Sequence, residues 1–393
     1  MGPPSPTPDA ERERLGIMSE SEVGSRAFMN VSVELALNSR ISTGGWSSVK
    51  HYGSVSQEMI SQEQLDYVSW CLGHVPHVGE TPPHITCGEE VLDPRAGTLG
   101  GRLNAFEPTR YQRLHWDQDR EQDSVDFSTQ ERNGYWLEQG MSQEMVHVAG
   151  AVAQIGVCMI GGVDVDLVPM THYFSSERPA KYVDGNLPEP MRDGGASATQ
   201  CIDGLSLAKV LEPRPLSKAQ LGQLLWAGYG CTPHETFKYY RTGIRDLVGQ
   251  GKTIPSAAAT YTVSLYASDE GGPSRYINWD EAAGAATHSL QPLEEGSHAW
   301  DTLRQLLPDR MAGSTLILVT SAGRLSPFFA MMEAGYCVLH IALQCRSLGY
   351  GTGLLALSSD QIRRAQASLN ISELPIALMS VGKAPDPATT QQQ

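Results

Sequence analysis

Two stretches of this chain open a helix in the same way, at an offset of 226 − 70 = 156, and that repeat limits the possible folds more than any other feature. Ser61-Gln-Glu-Gln-Leu-Asp-Tyr-Val-Ser-Trp70 and Ser217-Lys-Ala-Gln-Leu-Gly-Gln-Leu-Leu-Trp226 each place Gln three residues after Ser. That spacing is a capping box, in which side chain and backbone satisfy each other's free groups at a helix start. Each stretch continues with Leu, an apolar residue one turn on (Val68, Leu224) and Trp. Two further pairs follow in the same order. Gly97-Thr-Leu-Gly-Gly stands opposite Lys252-Thr-Ile-Pro-Ser, with Thr98 and Thr253 155 apart. Aligning His147 with His340, 193 apart, sets Gly156 on Gly349, where an apolar helix meets a glycine-rich turn in both copies. Three ordered matches point to an internal duplication, with 193 − 155 = 38 extra positions in the second copy.

The break between copies falls at Asp184–Asp203, a run rich in Gly, Pro and small polar residues. The expected organisation is a disordered tail (1–20), a degenerate first domain (21–190), a second domain (200–386) and a disordered end (387–393). In the second copy, helices are expected at Lys218–Ala227, Ser297–Leu307, Phe328–Leu348 and Ser359–Ala367. Strands are expected at Tyr261–Ala267, Ser314–Thr320 and Ile376–Val381. Strands interleaved with helices read as an α+β fold, a sheet with helices packed on it. The polar 101–136 region of the first copy fits no regular pattern.

A formal charge of −15 argues against a protein that tracks nucleic-acid phosphates, which needs clustered Lys and Arg. A few local cations would still suffice for a small anionic ligand. No apolar run reads as a membrane span, so no membrane partner is expected. Seven scattered cysteines without a CxxC pair form neither a disulfide framework nor a zinc site, and a reducing cytoplasm is the expected compartment.

Two segments could carry chemistry. Gly349-Tyr-Gly-Thr-Gly353 lets the backbone approach a ligand or turn sharply after a helix. Both readings stand, and the phosphate-loop patterns GxxxxGK[ST] and GxGxxG do not fit. Lys252-Thr-Ile-Pro-Ser-Ala-Ala-Ala is a basic turn of small residues feeding a strand, suited to a flat ring or to an ordinary loop.

With Pro215-Leu-Ser-x-x-Gln-Leu-x-x-Leu-Leu-Trp-Ala-Gly-Tyr-Gly230, Tyr276-Ile-Asn-Trp-Asp280, His288-Ser-Leu290, Glu333-Ala-Gly335, Leu374-Pro375 and Val381-Gly-Lys383, these segments resemble the nitroreductase superfamily of FMN enzymes. The resemblance covers roughly 205–385. It is nearest to the streptolysin-type azoline dehydrogenases, which oxidise thiazoline and oxazoline rings in peptide natural products. It implies two nitroreductase-like halves forming a pseudo-dimer within one chain, with FMN between them. It also implies a small-molecule or peptide-derived substrate and other biosynthetic enzymes as partners.

The cofactor-binding residues it implies are Ser206, Lys209, Lys252, Thr253, Pro255, Ser256, Ala257, Gly351, Thr352, Gly353 and Lys383. The usual Arg-Ser-x-Arg phosphate clamp is missing from the second copy, where only Ser206 and Lys209 could serve. Arg40, with Lys50 and His51, could supply it from the first. The adjacent Lys238-Tyr239 could act as the base that azoline oxidation requires, or lie in a solvated turn. Nitro or quinone reduction needs no such base. A flavin-free scaffold is the third reading.

Overall fold

The computed structural model describes residues 31–38, 60–87, 90–92, 112–116, 125, 127, 129–160, 162–169, 182–239, 245–257, 260–269, 272–294, 296–323 and 326–384. The Pro-rich start, Arg40, Lys50, His51 and the Gly97–Gly101 segment lie outside these residues. Helices among them are α1 (Val33–Asn38), α2 (Gln62–Leu72), α3 (Gln130–Ala153), α4 (Ala198–Asp203), α5 (Lys218–Tyr229), α6 (Gly296–Arg304), α7 (Pro327–Ser347) and α8 (Ser359–Leu369). The two capping boxes form as the sequence predicts. The Gln64 amide donates to Ser61 Oγ and the Gln220 amide to Ser217 Oγ, each at 3.2 Å, and both return bonds to Gln Oε1 are 2.9 Å.

The first half of the chain builds a five-stranded antiparallel sheet in the order β2-β1-β3-β5-β4. Its strands are β1 (Ile85–Cys87), β2 (Glu90–Leu92), β3 (Gln112–Trp116), β4 (Ile155–Ile160) and β5 (Asp164–Pro169). In the second half, β6 (Cys231–Tyr239) and β7 (Arg245–Lys252) pair only as a hairpin among the described strands. A six-stranded antiparallel sheet follows in the order β10-β9-β8-β11-β13-β12. It comprises β8 (Val263–Asp269), β9 (Gly272–Asp280), β10 (Ala285–Pro292), β11 (Thr315–Ser321), β12 (Gly351–Ala356) and β13 (Leu374–Gly382). Without β10, its order β9-β8-β11-β13-β12 matches that of the first sheet strand for strand.

Among the described residues the halves meet at reciprocal contacts, two of which place backbone against backbone. Near α1 and α4, the Val33 amide donates to Ala196 O and the Ala198 amide to Val31 O, around a bridge between Ser32 and Ser197. The two bonds are related by one constant offset, 198 − 33 = 196 − 31 = 165. Where α3 crosses α7, glycines allow the backbones to touch. A Cβ on Gly140 would stand 2.5 Å from Met332 O, and one on Gly335 would stand 2.5 Å from Leu137 O. Here the offset is 335 − 140 = 332 − 137 = 195. The left-handed residues ending the two helices, Gln154 and Gly349, are separated by the same offset. The helices therefore correspond two residues out of step with the His147–His340 alignment. The two histidines instead meet one carboxylate, Glu144, at 3.2 Å and 2.8 Å, inside the crossing.

α7 is long and apolar enough to cross a membrane by length and composition, although no apolar run was expected to qualify, but 94% of that window is buried in the protein. It lies at the centre, packed by Trp136–Phe328 ring contact and by Tyr336 donating to Gln143 Oε1. The seven cysteines are buried and free, Cys158, Cys337 and Cys345 as their apolar segments lead one to expect. The inter-copy linker ends in helix α4, and before that it runs beside β10, with Val183 and Leu187 donating to Ala286 O and His288 O.

Candidate functional site

The turn before β8 is built around a buried carboxylate. Glu333 stands in the apolar stretch Phe328–Ile341 of α7 and is 1% exposed. Its Oε1 accepts from Ser256 Oγ (2.8 Å) and the Ala257 amide (2.9 Å), and its Oε2 accepts from Thr262 Oγ1 (3.3 Å). Ser256 Oγ in turn accepts from the Tyr261 amide, where φ is 47°. Burial raises the Glu333 carboxyl to about 7, with the Ser256, Ala257 and Thr262 hydrogen bonds opposing the rise. Pro255, Ser256 and Ala257 are half-buried. The hydroxyl and amide face Glu333, and the remaining groups of the turn, the Pro255 ring and the Ala257 methyl, are small and half-buried. Groups of this size suit the face of a flat ring.

A second turn of the same construction precedes β1. Val78 and Gly79 donate their amides to Glu138 Oε2 at 2.9 and 3.1 Å, and His77 Nδ1 lies 3.4 Å from Oε1. Glu138 and Glu333 are related by the offset of the helix crossing, since 333 − 138 = 335 − 140. Val78 and Ser256 are 178 apart, as are the first residues of β1 and β8. By position, His77-Val78-Gly79 is therefore the first-half counterpart of Pro255-Ser256-Ala257. The expectation that Gly100-Gly101 fills that place is corrected.

The structure separates the expected cofactor residues into two groups. Lys252, Thr253 and the Pro255–Ala257 turn lie at the end of the second sheet where Val263, Ser321 and Leu374 are level. Ser206, Lys209, Gly351, Thr352, Gly353 and Lys383 gather at the other end, where Gly351 pairs Gly382. Leu374 to Gly382 is eight steps of β13, about 26 Å. The two groups therefore cannot both hold one FMN.

Several expected roles change with this geometry. Gly351 and Gly353 turn their Cα hydrogens onto neighbouring parts of the chain. A Cβ on Gly351 would meet Ala384 and Leu211, and one on Gly353 would meet Met311 and Ala208 O, so the chain itself fills both places. The Thr352 carbonyl accepts from the Ala208 amide, and Lys383 exchanges backbone bonds with Glu212. Ser206 and Lys209 are exposed on this closing segment. Lys252 closes the base of the hairpin, its Nζ 3.1 Å from both Cys231 Sγ and Asn278 Oδ1 and over the rings of Tyr229 and Trp279. Thr253 is fully buried and bonded to Trp226 O and the Gly230 amide. Lys238 and Tyr239 pair with Asp246 and Arg245 at the far end of the hairpin. Lys238 is seven residues from Cys231, about 23 Å of strand.

Sequence reasoning missed Glu333 and Glu138 as anchors. For Glu333 the signal was present, since a lone carboxylate within a run of buried apolar helix residues needs hydrogen-bond partners to be tolerated there; Glu138, beside Gln139, Ser142, Gln143 and Glu144, gave no such signal.

Residues 208–383 match the nitroreductase family. A Methanocaldococcus jannaschii protein bearing a nitroreductase name is 29% identical over 189 residues, covering 43% of this chain and 82% of that protein. A nitroreductase-named structure from Anabaena variabilis covers 65% of each chain at 12% identity and a TM-score of 0.46. One from Ralstonia eutropha covers 53% of this chain and 95% of its own at 21% identity, with a TM-score of 0.39. The Escherichia coli microcin synthetase complex with bound truncated pro-peptide covers 45% of this chain and 68% of its own at 14% identity, with a TM-score of 0.30.

Proposed function

We propose that this protein is an FMN-dependent oxidoreductase whose flavin ring lies on the Pro255–Ala257 turn, at the junction of two duplicated halves. The match of residues 208–383 to the nitroreductase family carries the reading. The small, half-buried residues of the turn support the placement. FMN, when bound, supplies hydride transfer, and the protein supplies orientation and electrostatics. Pro255 and Ala257 would present an apolar face to the ring while Glu333 holds the turn. The phosphate needs cations, which the vicinity of this turn does not offer from Lys209 or Lys383. Arg40, with Lys50 and His51, is the proposed source in the first half.

The shared strand order and the reciprocal contacts at Ser32–Ser197 and Gly140–Gly335 support the pseudo-dimer reading. Reduction of a nitro or quinone group needs nothing beyond this site. Oxidation of an azoline to an azole in peptide natural-product biosynthesis needs a base as well. Lys238-Tyr239, on the hairpin inserted directly before the turn, is the proposed candidate, provided the hairpin folds over the ring. Cytoplasmic location and biosynthetic partners are proposed with that second reading.

The test is an absorption spectrum of the purified protein, followed by flavin extraction and reconstitution with FMN. Bound FMN is expected. Colourless protein that takes up no FMN would leave the scaffold reading in its place.

A further inference from the structure

The fold contains a built-in control for what Glu333 does. Glu138 and Glu333 occupy equivalent places on α3 and α7, are each 1% exposed, and each accept backbone amides from the turn before a first sheet strand. The turns themselves share no residue: His77-Val78-Gly79 against Pro255-Ser256-Ala257. What recurs is a buried carboxylate on the central helix of each half, a costly arrangement unless its hydrogen bonds are made. A buried anchor fixes the height of its turn above the helix, because Ser256 Oγ and the Ala257 amide converge on the single atom Oε1. The first-half turn differs outwardly, with the exposed imidazole of His77 where the second half has Pro255.

We propose that Glu333 is a positioning residue for the flavin, setting the Pro255–Ala257 turn at the distance from the interface that the ring requires, whereas Glu138 has a structural role alone. The proposal rests on the flavin reading above. Glu333 does not touch the ring; it acts through the amide of Ala257 and the hydroxyl of Ser256. An amide in place of the carboxylate would keep the two bonds to the turn, since Oε1 still accepts from Ser256 and Ala257; it gives up one acceptor for Thr262, whose hydroxyl can accept from Nε2 instead. A methyl group would release the turn.

The experiment titrates FMN into the flavin-stripped full chain, followed by flavin fluorescence, alongside thermal unfolding of the same samples. Glu333→Ala is expected to weaken FMN at least tenfold, and Glu333→Gln to restore affinity to within threefold of wild type. Glu138→Ala is expected to stay within twofold, while both alanine variants lower the melting temperature by similar amounts. Wild-type affinity in Glu333→Ala would overturn the proposal. So would equal weakening by Glu138→Ala, which marks a structural role for both, or failure of Glu333→Gln to rescue. If Glu333→Ala does not fold, Ser256→Ala removes one of the two bonds to Oε1 without touching α7. It is then expected to weaken FMN at least threefold, and unchanged affinity would overturn the proposal. A wild-type chain that binds no FMN refutes the flavin reading itself, and the proposal with it, before any variant is compared.

Discussion

Folding should store a proton on Glu333 that the unfolded chain releases, and the size of that effect can be worked out. The carboxyl rises from 4.5 to about 7 on burial. Between those values the folded state binds more protons than the unfolded state, so stability falls as pH rises through the window and levels above about 7. At about 1.4 kcal/mol per pH unit, the loss is roughly 3 kcal/mol. His288 works in the opposite sense. Burial lowers its imidazole from 6.5 to about 4, with Nδ1 held 2.9 Å from Tyr276 OH. From pH 4 to 6.5 the unfolded chain takes up a proton that the folded chain excludes, so stability rises with pH, again by roughly 3 kcal/mol. The two slopes overlap and largely cancel in the wild type. Glu333→Gln, which keeps the anchor and removes the titration, separates them. Urea unfolding at intervals from pH 4.5 to 8 should show its stability relative to wild type rising by roughly 3 kcal/mol up to pH 7 and constant beyond. Parallel profiles for the two proteins across that range would refute the burial argument.

Gly140→Ala and Gly335→Ala should each destabilise by about 1–3 kcal/mol in urea unfolding, because the new methyl meets a carbonyl of the facing helix. Ser61→Ala and Ser217→Ala should each cost about 1 kcal/mol by the same measurement, and by similar amounts, since the two caps have the same geometry. Ala257→Phe should exclude FMN while melting at the temperature of flavin-stripped wild type; full flavin retention would mark the turn as an ordinary loop.

The second half was more legible in the sequence than the first, for reasons visible in particular residues. Capping is local chemistry, so Ser61-x-x-Gln64 and Ser217-x-x-Gln220 announced α2 and α5 without tertiary help. The buried strand Thr315–Ser321 and helix α7 are long enough to show their period. β1 and β2 have three residues each, too few for any alternation to register. The pairing of Gly97–Gly101 with Lys252–Ser256 failed because the first-half turn is held through backbone amides on Glu138. Such a turn tolerates His77-Val78-Gly79 and leaves no Pro-Ser signature. The histidine register failed by two residues because His147 and His340 converge on Glu144 from opposite helices, a contact between the halves mistaken for equivalence.

The spacing between corresponding elements shows where the halves differ, and that bears on how many flavins one chain can hold. From α1/α4 to α2/α5 the offset falls from 165 to 156, so the second half is nine residues shorter where its phosphate clamp would stand. The shortened segment lies closed along β12 and β13, through Ala208 on Thr352 and Glu212 on Lys383. From α2/α5 to the turns the offset rises to 178, and the excess, 178 − 156, equals the length of the hairpin segment Cys231–Lys252. The second half thus has the small-residue turn and the shorter segment, while the first half has the longer segment and an imidazole at its turn. In a pseudo-dimer each flavin takes its clamp from one half and its turn from the other. On the proposed reading only one of the two combinations, first-half segment with second-half turn, joins the longer segment to the small-residue turn. The expected stoichiometry is one FMN per chain, measured as extracted flavin absorbance against protein concentration. Two per chain would mean that the short segment and the His77 turn also build a site, and the division of roles between the halves would be wrong.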